Sequence, residues 1–319
     1  MKKPAALPSF AAVAASLFST AVVAQGQVLF QDNFDTPSAA NWTVRGGFSG
    51  DTASIGFDYS TLGIPAAPNS GGTTVGAVLY ANQPNGSTPA TTTTGVSIFP
   101  NALSLSGDYE LRYDVYQSFP GPYPGGGSGS TQITGAGINA SGGSTVYAGA
   151  GDAMWFGSTG DGGTSQDYRL YYNQTHQTAI GNYAAGATAA TGYQNSSSPY
   201  YSANGFGAVD TGDGLTGAGT QGMEWHQHVI SKVGNTVTWS IDGVTIATGD
   251  VSSTTFGGGN IVFVQSDINA GQTTVAEAPL LFGLIDNVIV TVVPEPSTYA
   301  LMGMGAAMLL GIARRRKNG

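Results

Sequence analysis

Along the body of the chain, apolar and polar residues trade places every one or two positions. Away from the two ends, no long stretch keeps the spacing of an amphipathic helix. Tyr109, Leu111, Tyr113 and Val115 alternate with Asp108, Glu110, Arg112 and Asp114, which predicts a strand with one dry and one wet face. Residues 75–81 are almost continuously apolar and predict a buried strand. Residues 225–232 and 235–241 read as a hairpin about Val233-Gly234-Asn235, with Val237, Trp239 and Ile241 on one face. Asp242-Gly243 then turns the chain into a strand at 244–247. Further strands are read at 28–35, 41–44, 154–156, 168–172, 261–264 and 282–292, the last marked as central by Ile285, Val288 and Val290. Residues 121–130 read as a Gly/Pro loop. Residues 180–222 are low in complexity, either a decorated loop or a few irregular strands. No repeat of solenoid or propeller length is present.

The pattern changes at both ends. Lys2 and Lys3 precede an apolar run over 11–23 that closes Val22-Val23-Ala24, the layout of an export signal cut after Ala24. At the other end, Pro294-Glu295-Pro296 cannot continue a sheet, and an apolar stretch over 298–313 leads to Arg314-Arg315-Arg316-Lys317. That stretch as a helix spans ~24 Å, less than a ~30 Å hydrocarbon core. Snorkelling arginines and local thinning of the bilayer would close the difference. The basic cluster would stay cytoplasmic and leave everything before Pro294 outside. The expected division is a signal peptide at 1–24, an extracytoplasmic domain at 25–293, and a tail at 294–319 with a single transmembrane helix at about 298–313.

The ordered set of Pro294-Glu295-Pro296, short apolar helix and terminal Arg314, Arg315 and Arg316 resembles the PEP-CTERM sorting signal of Gram-negative bacteria. The resemblance covers only the tail. It implies an exosortase-type membrane protease as a partner, membrane attachment before processing, and a final place in the cell envelope or outside the cell. It also implies association with exopolysaccharide and biofilm.

Composition narrows what the body can bind. Glycine supplies 49 of 319 residues and charged residues 9%, yet 41% of the chain is hydrophobic and 10% aromatic. That suits many short strands around a core rather than disorder. Within 25–293 the only basic residues are Arg45, Arg112, Arg169 and Lys232, against eighteen of the nineteen acids. Such a body repels nucleic acid and anionic lipid and is compatible with calcium or neutral glycans. Cysteine is absent, which excludes thiol catalysis, disulfides and cysteine-type zinc sites.

Glu224-Trp225-His226-Gln227-His228-Val229 followed by residues 235–243 looks like a strand pair of the concanavalin A-like jelly roll. In that fold the first and last strands pair, and the opening Asp32-Asn33-Phe34-Asp35 and closing Asp286-Asn287 segments sit where those strands belong. The resemblance implies an all-β jelly-roll sandwich, and fold alone does not carry activity.

Several constellations are candidates for chemistry. Glucanases on this fold carry closely spaced carboxylates on one strand, and retaining hydrolysis needs a separation of about 5–5.5 Å. Glu110 and Asp114 share a face but lie ~13 Å apart along a strand, with Arg112 between them, so they read as a charge-balanced outer face and no catalytic residue is assigned. His226, His228 and Glu224 project together, either as zinc ligands or as a polar surface near a sheet edge. Asp152, Asp161 and Asp167, with Trp155 and Tyr168, gather about a glycine-rich segment, either as a calcium or glycan site or as Asp-Gly turns. Asp210 and Asp213 are a weaker pair of the same kind. Tyr168, Tyr171, Tyr172, Tyr183, Tyr193, Tyr200, Tyr201 and Phe206 could stack on sugar rings or fill the core, with Tyr171 and Tyr172 facing opposite ways. No nucleophile elbow is present. The expected function is an exported, exosortase-sorted envelope or matrix protein that binds glycans. A polysaccharide-degrading enzyme on the same fold and a passive surface coat are the alternatives.

Overall fold

In the body, runs of β-branched and aromatic residues are broken by Gly, Asn and Asp turns, and they fold almost entirely as strands. The computed structural model describes residues 26–84, 92–121, 131–162, 166–173, 175–176, 181–185, 193–194, 197–212, 214–268 and 276–293. The sequence readings at 1–24 and 294–319, with Ala24 and the sorting residues, lie outside these, as do 122–130 and Asp213. Among the described residues no helix is long and apolar enough to cross a membrane.

The strands begin with β1 (Val28–Asp32), β2 (Trp42–Gly46), β3 (Thr52–Asp58), β4 (Val75–Tyr80), β5 (Thr94–Pro100) and β6 (Tyr109–Ser118). They continue with β7 (Gln132–Ala140), β8 (Met154–Ser158), β9 (Tyr168–Tyr172), β10 (Thr175–His176), β11 (Gly181–Tyr183) and β12 (Tyr193–Gln194). After the one-turn helix α1 (Pro199–Ala203) come β13 (Trp225–Val233), β14 (Thr236–Ile241), β15 (Val244–Asp250), β16 (Asn260–Asp267) and β17 (Phe282–Val292). The described residues of 180–222 include the short strands β11 and β12 and the helix α1, an element that neither the loop nor the strand alternative foresaw.

Two antiparallel sheets stack as a jelly-roll sandwich. One has nine strands in the order β11-β15-β14-β13-β6-β17-β4-β3, with β1 also on β17. The other has eight in the order β10-β9-β8-β7-β16-β5-β2, with β12 also on β9. The first and last strands pair, Phe30 opposite Val290 and Asp32 opposite Val288, as the resemblance implied. Between the sheets lies the main core, to which Leu111, Tyr113, Ile230, Trp239, Ile285 and Val290 of one sheet and Ile98, Ile138, Phe156, Leu170 and Phe263 of the other contribute.

Both outer faces are partly covered as well. On the eight-stranded sheet, Val146 and Ala148 lie over Trp155, Tyr171, Val262 and Val264. On the nine-stranded sheet a strap over 59–74 brings Tyr59 and Ile64 onto Val78, Tyr116, Phe282 and Leu284. Strands under such covers are buried on both faces, and β5, β8, β9 and β16 have no exposed residue. Close approach also selects small residues here. A Cβ at Gly137 of β7 would collide with Met154 O and Trp155 Cβ on β8, so only glycine fits that crossing without a shift.

Candidate functional site

The aspartates and aromatics expected to form a calcium or sugar site do not converge. Asp152 precedes β8 and accepts from Ser141 N (3.3 Å) and Ser144 Oγ (3.2 Å). Asp161 and Asp167 lie at the opposite end of that strand, roughly 17 Å away by strand rise, where Asp167 Oδ1 accepts from Thr159 Oγ1 at 2.9 Å. Trp155 is fully buried and stacks on Tyr171 with ring centroids 4.1 Å apart. Tyr168 is buried, stacks on Tyr201 and donates its hydroxyl to Gly219 O (2.6 Å). Tyr172, Tyr183 and Phe206 are buried too, Tyr200 is half-buried, and the Tyr193 side chain is outside the described residues. These rings fill the core, with Tyr171 on the outer face of its sheet and Tyr172 on the inner, as alternation required. Asp210 is exposed and closes a local turn through Gly212 N (3.0 Å).

The histidines are corrected as well. They occupy neither a surface nor an edge, because β13 lies inside the sheet between β14 and β6, and both side chains point into the sandwich. His226 Nδ1 meets Asp242 Oδ2 at 2.6 Å, while Nε2 lies 3.4 Å from Glu224 Oε1, an ion-pair distance without hydrogen-bond geometry. Burial alone would lower its pKa, but Asp242 and Glu224 together raise it to about 9. His228 is deeper, and burial followed by repulsion from His226 pushes it down to about 3. Its Nδ1 accepts from Trp239 Nε1 at 3.3 Å, so the proton sits on Nε2 and is donated to Gln221 Oε1 at 2.7 Å. One imidazole is therefore charged and the other neutral. Among the described residues no three His, Asp or Glu side chains gather as metal ligands.

The groups that do converge lie on the outer face of the nine-stranded sheet, at a seam. One flank of β17 is paired with β4 over 283–285 and then with β1 over 288–291. Where the neighbour changes, β17 bulges against β6 between Asp286 and Ile289, and Asn287 takes a positive φ of 52°. A groove of about 570 Å³ opens at this seam. Its walls include six carboxamides, those of Gln31, Asn33, Asn41, Asn69, Gln227 and Asn287, together with Thr36, Ser38, Arg112 and one acid, Asp32. Ser38 is 6% exposed and its Oγ has no partner among the described residues. Arg112 is half-exposed and pairs with Glu110 at 2.5 Å. Asp32 is occupied, accepting from Trp42 Nε1 and Phe34 N at 2.8 Å each.

Behind the groove a polar row crosses three strands, with Gln227 opposite Asp114 and Asp114 opposite Asp286. Asp114 was expected on the wet face of β6. It is instead fully buried, because the strap covers it. Asn69 N (3.2 Å) and Nδ2 (2.8 Å) and Asn287 Nδ2 (2.8 Å) donate to it. Asp286, equally buried, meets the Tyr59 hydroxyl at 2.9 Å and accepts from Asn287 N at 2.7 Å. Burial raises both carboxyls, Asp286 to about 7. Asn69 and Asn287 belong to both the groove and this row. Sequence reasoning passed over the strap, for it has no periodicity, although the polar Asp286-Asn287 step inside the apolar β17 marks the bulge.

In sequence, no curated protein matches the chain. Among solved structures it is similar to a Bacillus subtilis protein of unknown function with a galectin-like fold, at 10% identity and a TM-score of 0.43, covering 84% of this chain and 97% of that one. It is similar to a Bacillus licheniformis beta-glucanase at 10% identity and a TM-score of 0.42, covering 82% and 97%. A third similar structure is the Emp47p carbohydrate recognition domain, at 10% identity and a TM-score of 0.39, covering 79% and 88%. Residues 292–317 match the PEP-CTERM protein-sorting motif. The chain thus carries a PEP-CTERM sorting motif directly behind the last strand of its sandwich.

Proposed function

We propose that this is a surface protein, exported and handed to an exosortase through residues 292–317, whose sandwich binds a neutral glycan in the seam groove. The observation that carries the binding half is the chemistry of the groove wall. Six carboxamides, two hydroxyls and one guanidinium present donors and acceptors in both senses, which is what the hydroxyls of a sugar require. The scarcity of free charge supports a neutral ligand, since Arg112 is paired with Glu110 and the body is strongly acidic. Binding is favoured over hydrolysis because the one acid in the wall, Asp32, already has both oxygens engaged, and the strap shuts away Asp114 and Asp286.

The test is titration of residues 25–293 with neutral and uronic-acid polysaccharides by calorimetry, with reducing ends assayed in parallel. Neutral glycan should bind, and Gln227→Ala or Asn41→Ala should weaken it by about tenfold, the cost of roughly one hydrogen bond. Binding that survives both substitutions unchanged would place the ligand elsewhere, and release of reducing ends would make the protein an enzyme. In a host lacking any exosortase the full chain should stay unprocessed at the membrane, and removal of residues 292–317 there would count against the sorting half.

A further inference from the structure

The strap seals two facing carboxyls, Asp114 and Asp286, and the hydrogen bonds around Tyr59 are complete in only one charge state of Asp286. Its two ends are pinned to Asp58 of β3 by Ser60 and Thr74, and between them its polar ties include Asn69 to Asp114, Pro65 O to Trp225 Nε1 (2.8 Å), and Tyr59 to Asp286. The Tyr59 hydroxyl has one hydrogen. It stands 2.9 Å from Asp286 Oδ2 and 3.1 Å from Thr73 O, and it accepts from Ala67 N at 3.2 Å. If Asp286 is ionised, that hydrogen must go to the carboxylate and the bond to Thr73 is lost. If Asp286 carries a proton on Oδ2, it donates to Tyr59, Tyr59 donates to Thr73 O, and every contact is made.

The surroundings agree with the protonated form. Asp286 faces Asp114 directly across the strand pair, with no water-exposed surface on either. Three N–H groups of Asn69 and Asn287 donate to Asp114, against one N–H and the Tyr59 hydroxyl at Asp286, so the hydrogen bonds favour the negative charge on Asp114 over its neighbour. The other charged groups that bear on the pair are acids too, Asp35 beyond β1 and Asp242 after β14. From the strap side only the neutral Tyr59 faces it, its hydroxyl held protonated by burial. Arg112, the nearest base along β6 on that face, is committed to Glu110.

We propose that a single proton on Asp286 is the clasp that closes the strap over 59–74, so that the strap and the groove wall formed by Asn69 open together when that proton is lost. The direction follows from linkage. The closed form holds the proton up to about pH 7, whereas an open, hydrated Asp releases it near its ordinary value of 3.8. Closure is therefore strongest below about pH 4 and weakens by about tenfold per pH unit until it levels off near pH 7. The control of glycan binding rests on the groove reading. The clasp itself does not, and protein without any ligand tests it.

Hydrogen exchange of the 59–74 amides, corrected for intrinsic rates, is measured on the full chain between pH 4 and 8. Protection should fall up to about pH 7 and then flatten, while β13 and β16 keep theirs. Asp286→Asn supplies a permanent donor to Tyr59 and should hold the strap closed at every pH. Asp114→Asn removes the facing charge and should bring the levelling-off to a lower pH. A flat wild-type profile overturns the clasp, as does a wild-type-like profile in Asp286→Asn. If Asp286→Asn does not fold, Asp114→Asn decides in its place, and a wild-type profile there overturns the proposal. Loss of pH dependence with glycan binding intact sinks the clasp alone; intact pH dependence without glycan binding sinks only the groove.

Discussion

His226 and Asp286 show how one burial cost has opposite results according to its neighbours. Both lose hydration. His226 finds two carboxylates and keeps its proton to about pH 9, while Asp286 finds another acid and holds its proton to about pH 7. For His226 the folded value lies above the unfolded 6.5, so its contribution is complete below about pH 6.5 and is lost as pH rises through about 9. The shift is worth at most about 3 kcal/mol. Asp242→Asn should remove most of it, lowering the chemical-denaturation midpoint at pH 7 but hardly at pH 9.5, and proton NMR of the imidazole should show an earlier titration. An unmoved titration would mean that Glu224 alone holds the charge. The sequence placed His226 and Glu224 together. It did not show Asp242 as the partner, since that contact forms only when the turn after β14 folds back beside Gln227. Nor did it separate Asp152 from Asp161, which requires the strand between them to be straight and fully paired.

At the scale of elements, legibility followed the apolar signal, either alternation beside a wet face or a near-continuous apolar run as in β8, β9 and β16. β6, β13 and β14 each keep partly exposed residues between buried ones, and the alternation was readable. β5 and β7 were missed because Thr94 and Ser97 or Gly135 and Gly137 interrupt the apolar run, and β3 was missed because Ser54 and Gly56 do the same there. Gly135 and Gly137 are required by packing, not by turns. Gly137→Ala should cost about 1–3 kcal/mol through overpacking and should perturb the fluorescence of Trp155, whose Cβ it would strike. An unchanged denaturation midpoint would show that β7 and β8 can separate freely. The hairpin of β13 and β14 is the opposite case. Gly234 takes a positive φ of 56° at its tip with open space around it, so Gly234→Ala should cost about 1 kcal/mol through the backbone alone.

For the whole molecule, the strand orders decide what can be removed. Every described pairing lies within 26–293, so a chain ending at Val293 should melt at the temperature of the full protein. One ending at Leu281 should not fold, because β17 contacts β6, β4 and β1 together. Circular dichroism of the two truncations tests this, and a folded 1–281 product would refute the central place of β17. The sandwich was legible in outline from turn spacing and the paired end segments. The groove was not, because it arises where two distant strands meet one flank of a third. That keystone has a consequence for timing. A barrel of staves whose last-made piece belongs in the middle stays open until that piece arrives. The two sheets therefore cannot close until synthesis has passed Val292, so almost the whole body must exist before any of it locks.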